Sequence, residues 1–281
     1  MIAPRPRDLE VVAMAAARAG GAELARLFGS AGLKVHTKGK NDFVTQADHA
    51  SEAAILAVVR AHFPDHSVLT EESGRHAGAD GTVEWIVDPL DGTTNFLQGL
   101  PIWSVSVGCR HRGQLLAGAI FEPLPGRLFS AAHGEGARLD GAPIAVSNRP
   151  GLAGAFLATG FPFRAHSALD RYLGAFREVF QAAGAIRRCG SAALDLAYTA
   201  LGVYDGFFEF RLSAWDIAAG ALLIEEAGGV ITDLDGGAAY LESGNVVAGN
   251  RAVQRELLDT VARHADEGSL ARLPLGGIGP G

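Results

Sequence analysis

"WIVDPLDGTTNF", residues Trp85 to Phe96, sets a β-branched and aromatic run, Trp85-Ile86-Val87, directly against two aspartates, a glycine and two threonines. Asp, Gly and Thr close strands and open helices, so a turn is the simplest reading. Two features carry the stretch further. Pro89 biases Asp88 toward an extended conformation, which leaves Asp88 and Asp91 at the carboxyl end of a strand. Gly92-Thr93-Thr94-Asn95 then supply small groups and a cap for a helix start, whose free backbone N–H groups attract anions. Carboxylates beside an anion site call for a cation between them. Hard oxygen ligands of this kind suit Mg²⁺ bridging a carboxylate to a phosphate, so the stretch reads as a metal and phosphate site.

Around it, apolar residues recur at helical spacing from Arg7 to Phe28 and from Thr45 to Phe63. The polar "HTKGKNDF" between them predicts a mobile loop or short hairpin. From Ser67 to Ser147 short β-rich runs ("SVLT", "EWIV", "SVSVGCR", "LLAGAIFEP", "RLFSAA", "APIAVS") alternate with turn signals and predict an antiparallel sheet. Beyond Pro150 the texture is mixed. "GAFLAT", "DGFFEF", "GGVITDL" and "NVVAG" read as strands, and 167–183, 192–202, 215–227 and 252–264 read as helices. The expected organisation is an N-terminal α+β half over 1–150 carrying most of the site's acids, a C-terminal α/β half over 151–265 completing it, and a disordered Gly/Pro-rich tail over 266–281.

A net charge of −7 argues against a binder of nucleic acid or anionic membrane driven by bulk electrostatics. The amino terminus has no secretory cleavage pattern and no bilayer-length apolar run, and Cys109 and Cys189 lie among apolar or small residues. The reading is a cytoplasmic protein with reduced thiols. The histidines lack any mutual ligand spacing, so zinc is not indicated.

Two further acidic stretches stand out. "LTEESG" places Glu71 and Glu72 after a strand-like run, and "SAWDIAAGALLIEEAGG" opens an apolar helix with Asp216. Taken singly these are solvated loop acids and a helix-start acid favoured by the macrodipole. Together with "WIVDPLDGTTNF", "TGFPFR", "GSAALDLAYTALGVYDGFFEF" and "NVVAGN", in this order from about Asp8 to Ala262, they resemble the inositol monophosphatase family, its bacterial members in particular.

The resemblance implies an αβαβα layered sandwich of the sugar-phosphatase type, a homodimer, and lithium-sensitive, Mg²⁺-dependent hydrolysis of phosphate monoesters with two to three ions per site. It assigns Glu71, Asp88, Asp91, Asp216 and the carbonyl of Leu90 to the metals. It gives Gly92 and Thr93 to the substrate phosphate, and Ala192, Glu209, Asp91 and Asp216 to the rest of the substrate. Asp48, Glu71 and Thr93 would activate the water, with the Thr93 hydroxyl paired to Asp48. By local pattern alone, Asp48 closes a capping box opened by Thr45. Glu72 and Lys38 read as structural or electrostatic helpers, and Arg187 and Arg188 as a surface pair or interface contact.

Inositol 1-phosphate is the expected substrate. Fructose 1,6-bisphosphate, histidinol phosphate and 3′-phosphoadenosine 5′-phosphate are the alternatives within the fold, and a regulatory protein binding a transcription complex is the alternative from another class. Arg211 departs from the pattern, because many relatives carry glycine two positions after the pocket glutamate. It reads either as a rim pair with an acid or as a binder of a second anionic group.

Overall fold

A computed structural model describes residues 4–30, 35–39, 42–162 and 169–264, without the side chains of 35–39 and 42–43. Its helices are α1 (Pro6–Leu27), α2 (Gln46–His62), α3 (Thr93–Leu97), α4 (Leu169–Ala182), α5 (Ala192–Ala200), α6 (Ala214–Glu226), α7 (Tyr240–Ser243) and α8 (Arg251–Ala262). The strands are β1 (Val35–Gly39), β2 (Asp42–Thr45), β3 (His66–Thr70), β4 (Gly74–His76), β5 (Asp80–Asp91), β6 (Ser104–His111), β7 (Gln114–Glu122), β8 (Arg127–Ala132), β9 (Ala137–Leu139), β10 (Ala142–Pro143), β11 (Phe156–Thr159), β12 (Ala185–Arg187), β13 (Gly206–Glu209), β14 (Val230–Thr232) and β15 (Val246–Gly249). In the stretch expected to be a loop or hairpin, the described residues 36–39 and 42–43 lie in the antiparallel pair β1–β2. The expected tail and the Lys38 side chain lie outside the described residues.

Two sheets carry the architecture, in strand orders β10-β9-β8-β7-β6-β5-β3-β4 and β12-β11-β13-β15-β14. Three apolar clusters separate five layers. Leu9, Ala16, Leu24 and Ile55 of α1 and α2 pack on Trp85, Val107 and Ala119 of the larger sheet. Ile217, Leu222 and Ile224 of α6 and Leu196 of α5 fill the space between the sheets, against Ile86, Ile120 and Phe207. Tyr172 and Val179 of α4 and Leu257 of α8 cover the outer face of the smaller sheet. The layering is αβαβα, as the resemblance implied. A helix sandwiched between two sheets must be apolar all round, and α6 is buried at every position from Asp216 to Ile224.

That central helix lies close to the larger sheet because the sheet is bare beneath it. A Cβ on Gly108 would come within 2.9 Å of the Ala218 Cβ, and one on Gly118 within 3.0 Å of the Ala219 Cα. The close approach brings the start of α6 over β6, where the Ser106 hydroxyl donates to the Trp215 carbonyl at 3.2 Å.

Some expectations need correction. The larger sheet is not wholly antiparallel: β3 and β5 run parallel, because β4 turns back along the outer edge of β3 before the chain enters β5. The smaller sheet is mixed, with β11 parallel to β12 and β13 and the pairs of β15 antiparallel. "APIAVS" contributes only Ala142–Pro143 to a ladder. From Ile144 the chain leaves the sheet, and Val146 donates instead to Ala227 at the end of α6. The periodicity gave no hint of β12, which is three residues long and partly exposed.

Candidate active site

Because β3 and β5 are parallel neighbours, Glu71, just past one, and Asp88, near the end of the other, emerge at the same sheet edge. Asp91 needs a further device. Residues three apart on a regular strand face opposite ways. Here Asp88 pairs with Ser106 and Asp91 with Ser104, so β5 carries an extra residue between them. This bulge at Pro89-Leu90 re-aims the strand and turns both aspartates into one cavity. The Leu90 N–H donates to Asp88 Oδ1 at 2.9 Å and Ser51 donates to the Pro89 carbonyl at 2.7 Å, pinning the bulge.

Asp216 arrives from the first turn of α6, the helix packed on the larger sheet. One of its oxygens accepts from the Ser213 N–H at 2.7 Å, closing a capping box at the helix start. Asp216 therefore both starts the helix and joins the acidic cluster. Ligand oxygens of Asp88, Asp91 and Asp216 lie within 4.8 Å of one another, and all three residues are buried. Glu71 lines the same cavity outside this tight trio.

Burial is the main force on these acids, and their mutual repulsion adds to it. Asp88 is held well above the usual carboxylate range by burial and then by Glu71, Asp91 and Asp216. Asp91 is pushed up to about 6 by burial, although Ser191 Oγ and the Ala193 N–H, the latter at 2.8 Å, donate to it and stabilise its charge. Three buried carboxylates this close are costly unless a cation joins them. The donor set is all oxygen, which fits Mg²⁺ and not a thiol- or imidazole-preferring metal.

Beyond the bulge, Gly92 takes φ = 97° and opens α3. The turn is tight: a Cβ there would lie 3.0 Å from the Ile102 carbonyl and 3.2 Å from the Trp103 Cβ. The Thr93 hydroxyl is 3.1 Å from the Leu90 carbonyl and 3.3 Å from Asp48 Oδ1. With one proton, it donates to one of these at a time. The second Asp48 oxygen accepts from the Thr45 N–H at 2.8 Å and the Thr45 hydroxyl at 2.6 Å. Asp48 is wholly buried, and burial raises its pKa against these hydrogen bonds. The capping box with Thr45 and the pairing with Thr93 are present together, one per oxygen.

The cavity holds about 440 Å³, within the usual range for small-molecule sites. Leu90, Gly92, Thr93, Ala192, Glu209 and the acids above line it; Asp48 reaches it through Thr93. Glu209, at the end of β13, lies against Gly160 at the end of its parallel neighbour β11: a Cβ on Gly160 would fall 2.0 Å from the Glu209 Oε1.

Two further residues that the sequence reading did not assign to the site line the cavity. Asp195 is buried on α5, and its pKa is raised well above normal by burial and then by Glu209 and Asp91. A charge inside the apolar "AALDLAYTA" was the available signal. Arg188 is exposed, as a surface residue is, and it also lines the cavity, its guanidinium 5.6 Å from the Phe161 ring. Arg187 lies at the surface, over the Phe156 ring at 4.9 Å. Cys109 and Cys189 are both free thiols. Among the described residues, no helix is long and apolar enough to cross a membrane.

Comparison with known proteins bears on this geometry. The family model described as the inositol monophosphatase family matches residues 5–269. The Nus factor SuhB of Escherichia coli strain K12 is 44% identical over 248 residues, which cover 88% of this chain and 93% of the relative. The crystal structure of extragenic suppressor protein suhB from Bartonella henselae is 40% identical with a TM-score of 0.87, over 90% of this chain and 98% of that one. An inositol monophosphatase from Anabaena is 35% identical with a TM-score of 0.79, over 94% and 98%.

Proposed function

The chain belongs to the inositol monophosphatase family, and from that premise we propose that it is a Mg²⁺-dependent phosphatase of phosphate monoesters, with inositol 1-phosphate its foremost substrate. The observation that carries this reading is the buried trio Asp88, Asp91 and Asp216, oxygens within 4.8 Å of one another, at the mouth of a helix start. Asp88, Asp91 and Asp216, with Glu71 and the Leu90 carbonyl, would hold two to three ions. Mg²⁺ bound there supplies charge neutralisation for the transferring phosphoryl group and activation of a water.

The chain's own groups do the rest. The N–H groups of Gly92 and Thr93 receive the phosphate oxygens. The Thr93 hydroxyl, donating to Asp48, accepts a hydrogen bond from the attacking water and orients it in line with the leaving oxygen. Ala192 and Glu209 face the substrate's hydroxyls. A cytoplasmic homodimer inhibited by lithium completes the reading.

The test is a panel of inositol 1-phosphate, fructose 1,6-bisphosphate, histidinol phosphate and 3′-phosphoadenosine 5′-phosphate, compared by kcat/KM with purified protein. Inositol 1-phosphate is expected to rank first, and Asp88→Asn to lower its turnover by at least about 10³-fold, since an amide cannot supply the lost charge. Turnover by Asp88→Asn near the wild-type rate rejects the assignment.

The relatives called Nus factor SuhB favour a second reading, in which the chain acts as a regulatory protein on a transcription complex. Pull-down of transcription machinery by wild-type and Asp88→Asn protein alike, with no turnover on the panel, would select it.

A further inference from the structure

Arg211 stands in the turn between β13 and α6 with φ = 65°, the left-handed region. An L-residue there is strained, and glycine or asparagine is the usual occupant. The turn is fixed from below: the Arg211 N–H donates to Asn245 Oδ1 at 3.3 Å, and the Leu212 N–H to the Gly244 carbonyl at 2.8 Å. This backbone would accept glycine without strain, yet it carries an arginine, and that arginine lines the cavity.

The rim-pair reading finds no support. Among the described residues the Arg211 guanidinium has no hydrogen bond or ion pair, although Glu71, Asp195 and Glu209 line the same cavity. A guanidinium offers five donors in a planar fork. Among the described residues, the cations lining the cavity are Arg188 and Arg211, and Arg188 is set over Phe161. Arg211 comes two residues after Glu209, the acid assigned to substrate hydroxyls, and five before Asp216. Its charge therefore belongs to the segment that faces the body of the substrate.

We propose that Arg211 is a specificity-determining residue whose guanidinium receives a second phosphate group when the substrate carries one, so that among sugar phosphates the cavity favours a bisphosphate over the matching monophosphate. A phosphate dianion matches the fork in shape and charge, and a cavity of about 440 Å³ has room for a phosphorylated hexose. The proposal rests on the phosphatase reading only for the place of the reacting phosphate.

The test is calorimetric binding of fructose 1,6-bisphosphate and fructose 1-phosphate, which differ only in the second phosphate. Ca²⁺ replaces Mg²⁺ so that no turnover is needed. Wild-type protein is expected to favour the bisphosphate by about 10–100-fold, and Arg211→Gly to bring that ratio close to one. Arg211→Lys, which keeps the charge and loses the fork, should fall between them. Because glycine suits φ > 0, Arg211→Gly should melt no earlier than wild type, so a lost preference is not lost folding. A wild-type ratio near one, or the same ratio in both proteins, overturns the proposal. Phosphate release with Mg²⁺ separates the two readings: a preserved ratio without turnover removes the phosphatase and leaves the role of Arg211 standing.

Discussion

Each oxygen of the Asp48 carboxylate has its own partner, Thr45 for one and the Thr93 hydroxyl for the other. An amide in its place can still accept from Thr45 through its oxygen, but presents N–H to Thr93 and reverses that hydroxyl's orientation. Asp48→Asn should therefore lose no more than about 1 kcal/mol of stability, while kcat falls by roughly 10²–10⁴-fold. Thr93→Ala should fall by a similar factor and the double variant by little more, as expected of two residues acting as one unit. Thermal melts and kcat on the three proteins check this; an early-melting Asp48→Asn with near-normal kcat would leave only the cap. At this scale the capping box of Thr45 with Asp48 and the helix-start place of Asp216 were legible, because their signals are local. Asp195 and Arg188 were not, because an acid in an apolar helix and an arginine before a glycine show their meaning only when distant chain segments meet.

The elements do the converging. A bulge in β5 turns Asp88 and Asp91 the same way, the start of α5 donates to Asp91, and the bare sheet under α6 lets Asp216 approach. The proline between two aspartates signalled an extended strand end in the sequence. The bulge was invisible there, since it depends on pairing with β6. The same logic applies to Gly160, whose missing side chain leaves room for Glu209 on the neighbouring strand. Gly160→Ala should displace the flexible Glu209 carboxylate and mimic Glu209→Ala. Both should lower kcat/KM for inositol 1-phosphate by about 10-fold or more relative to a small generic phosphate ester. Equal losses on the two substrates, measured side by side, would put Glu209 outside the part of the site that meets the substrate hydroxyls.

Across the whole molecule, five layers hold a knot of buried negative charge that the fold alone does not balance. Asp91 is pushed up to about 6, and Asp88 well above its ordinary value, by burial first. A carboxyl whose folded pKa is raised opposes folding when ionised, so the penalty is absent below the unfolded value of about 3.9 and complete above the folded one. Metal-free protein should thus lose stability as pH rises from about 4 through about 6. Because Mg²⁺ binds the ionised acids, the rise in Tm that it gives should be larger near pH 8 than near pH 5. Melts with Mg²⁺ and with chelator at both values check this, and an equal rise at both contradicts it. The layer order was legible through family resemblance, whereas periodicity alone yielded helices and strands without their stacking, which long-range packing decides. The central claim, that these acids hold Mg²⁺ for phosphate-ester hydrolysis, is tested most directly by phosphate release from inositol 1-phosphate as purified protein is titrated with Mg²⁺. The account predicts no release in chelator and a saturable rise as Mg²⁺ is added. Full release in chelator, or none at saturating Mg²⁺, would contradict it.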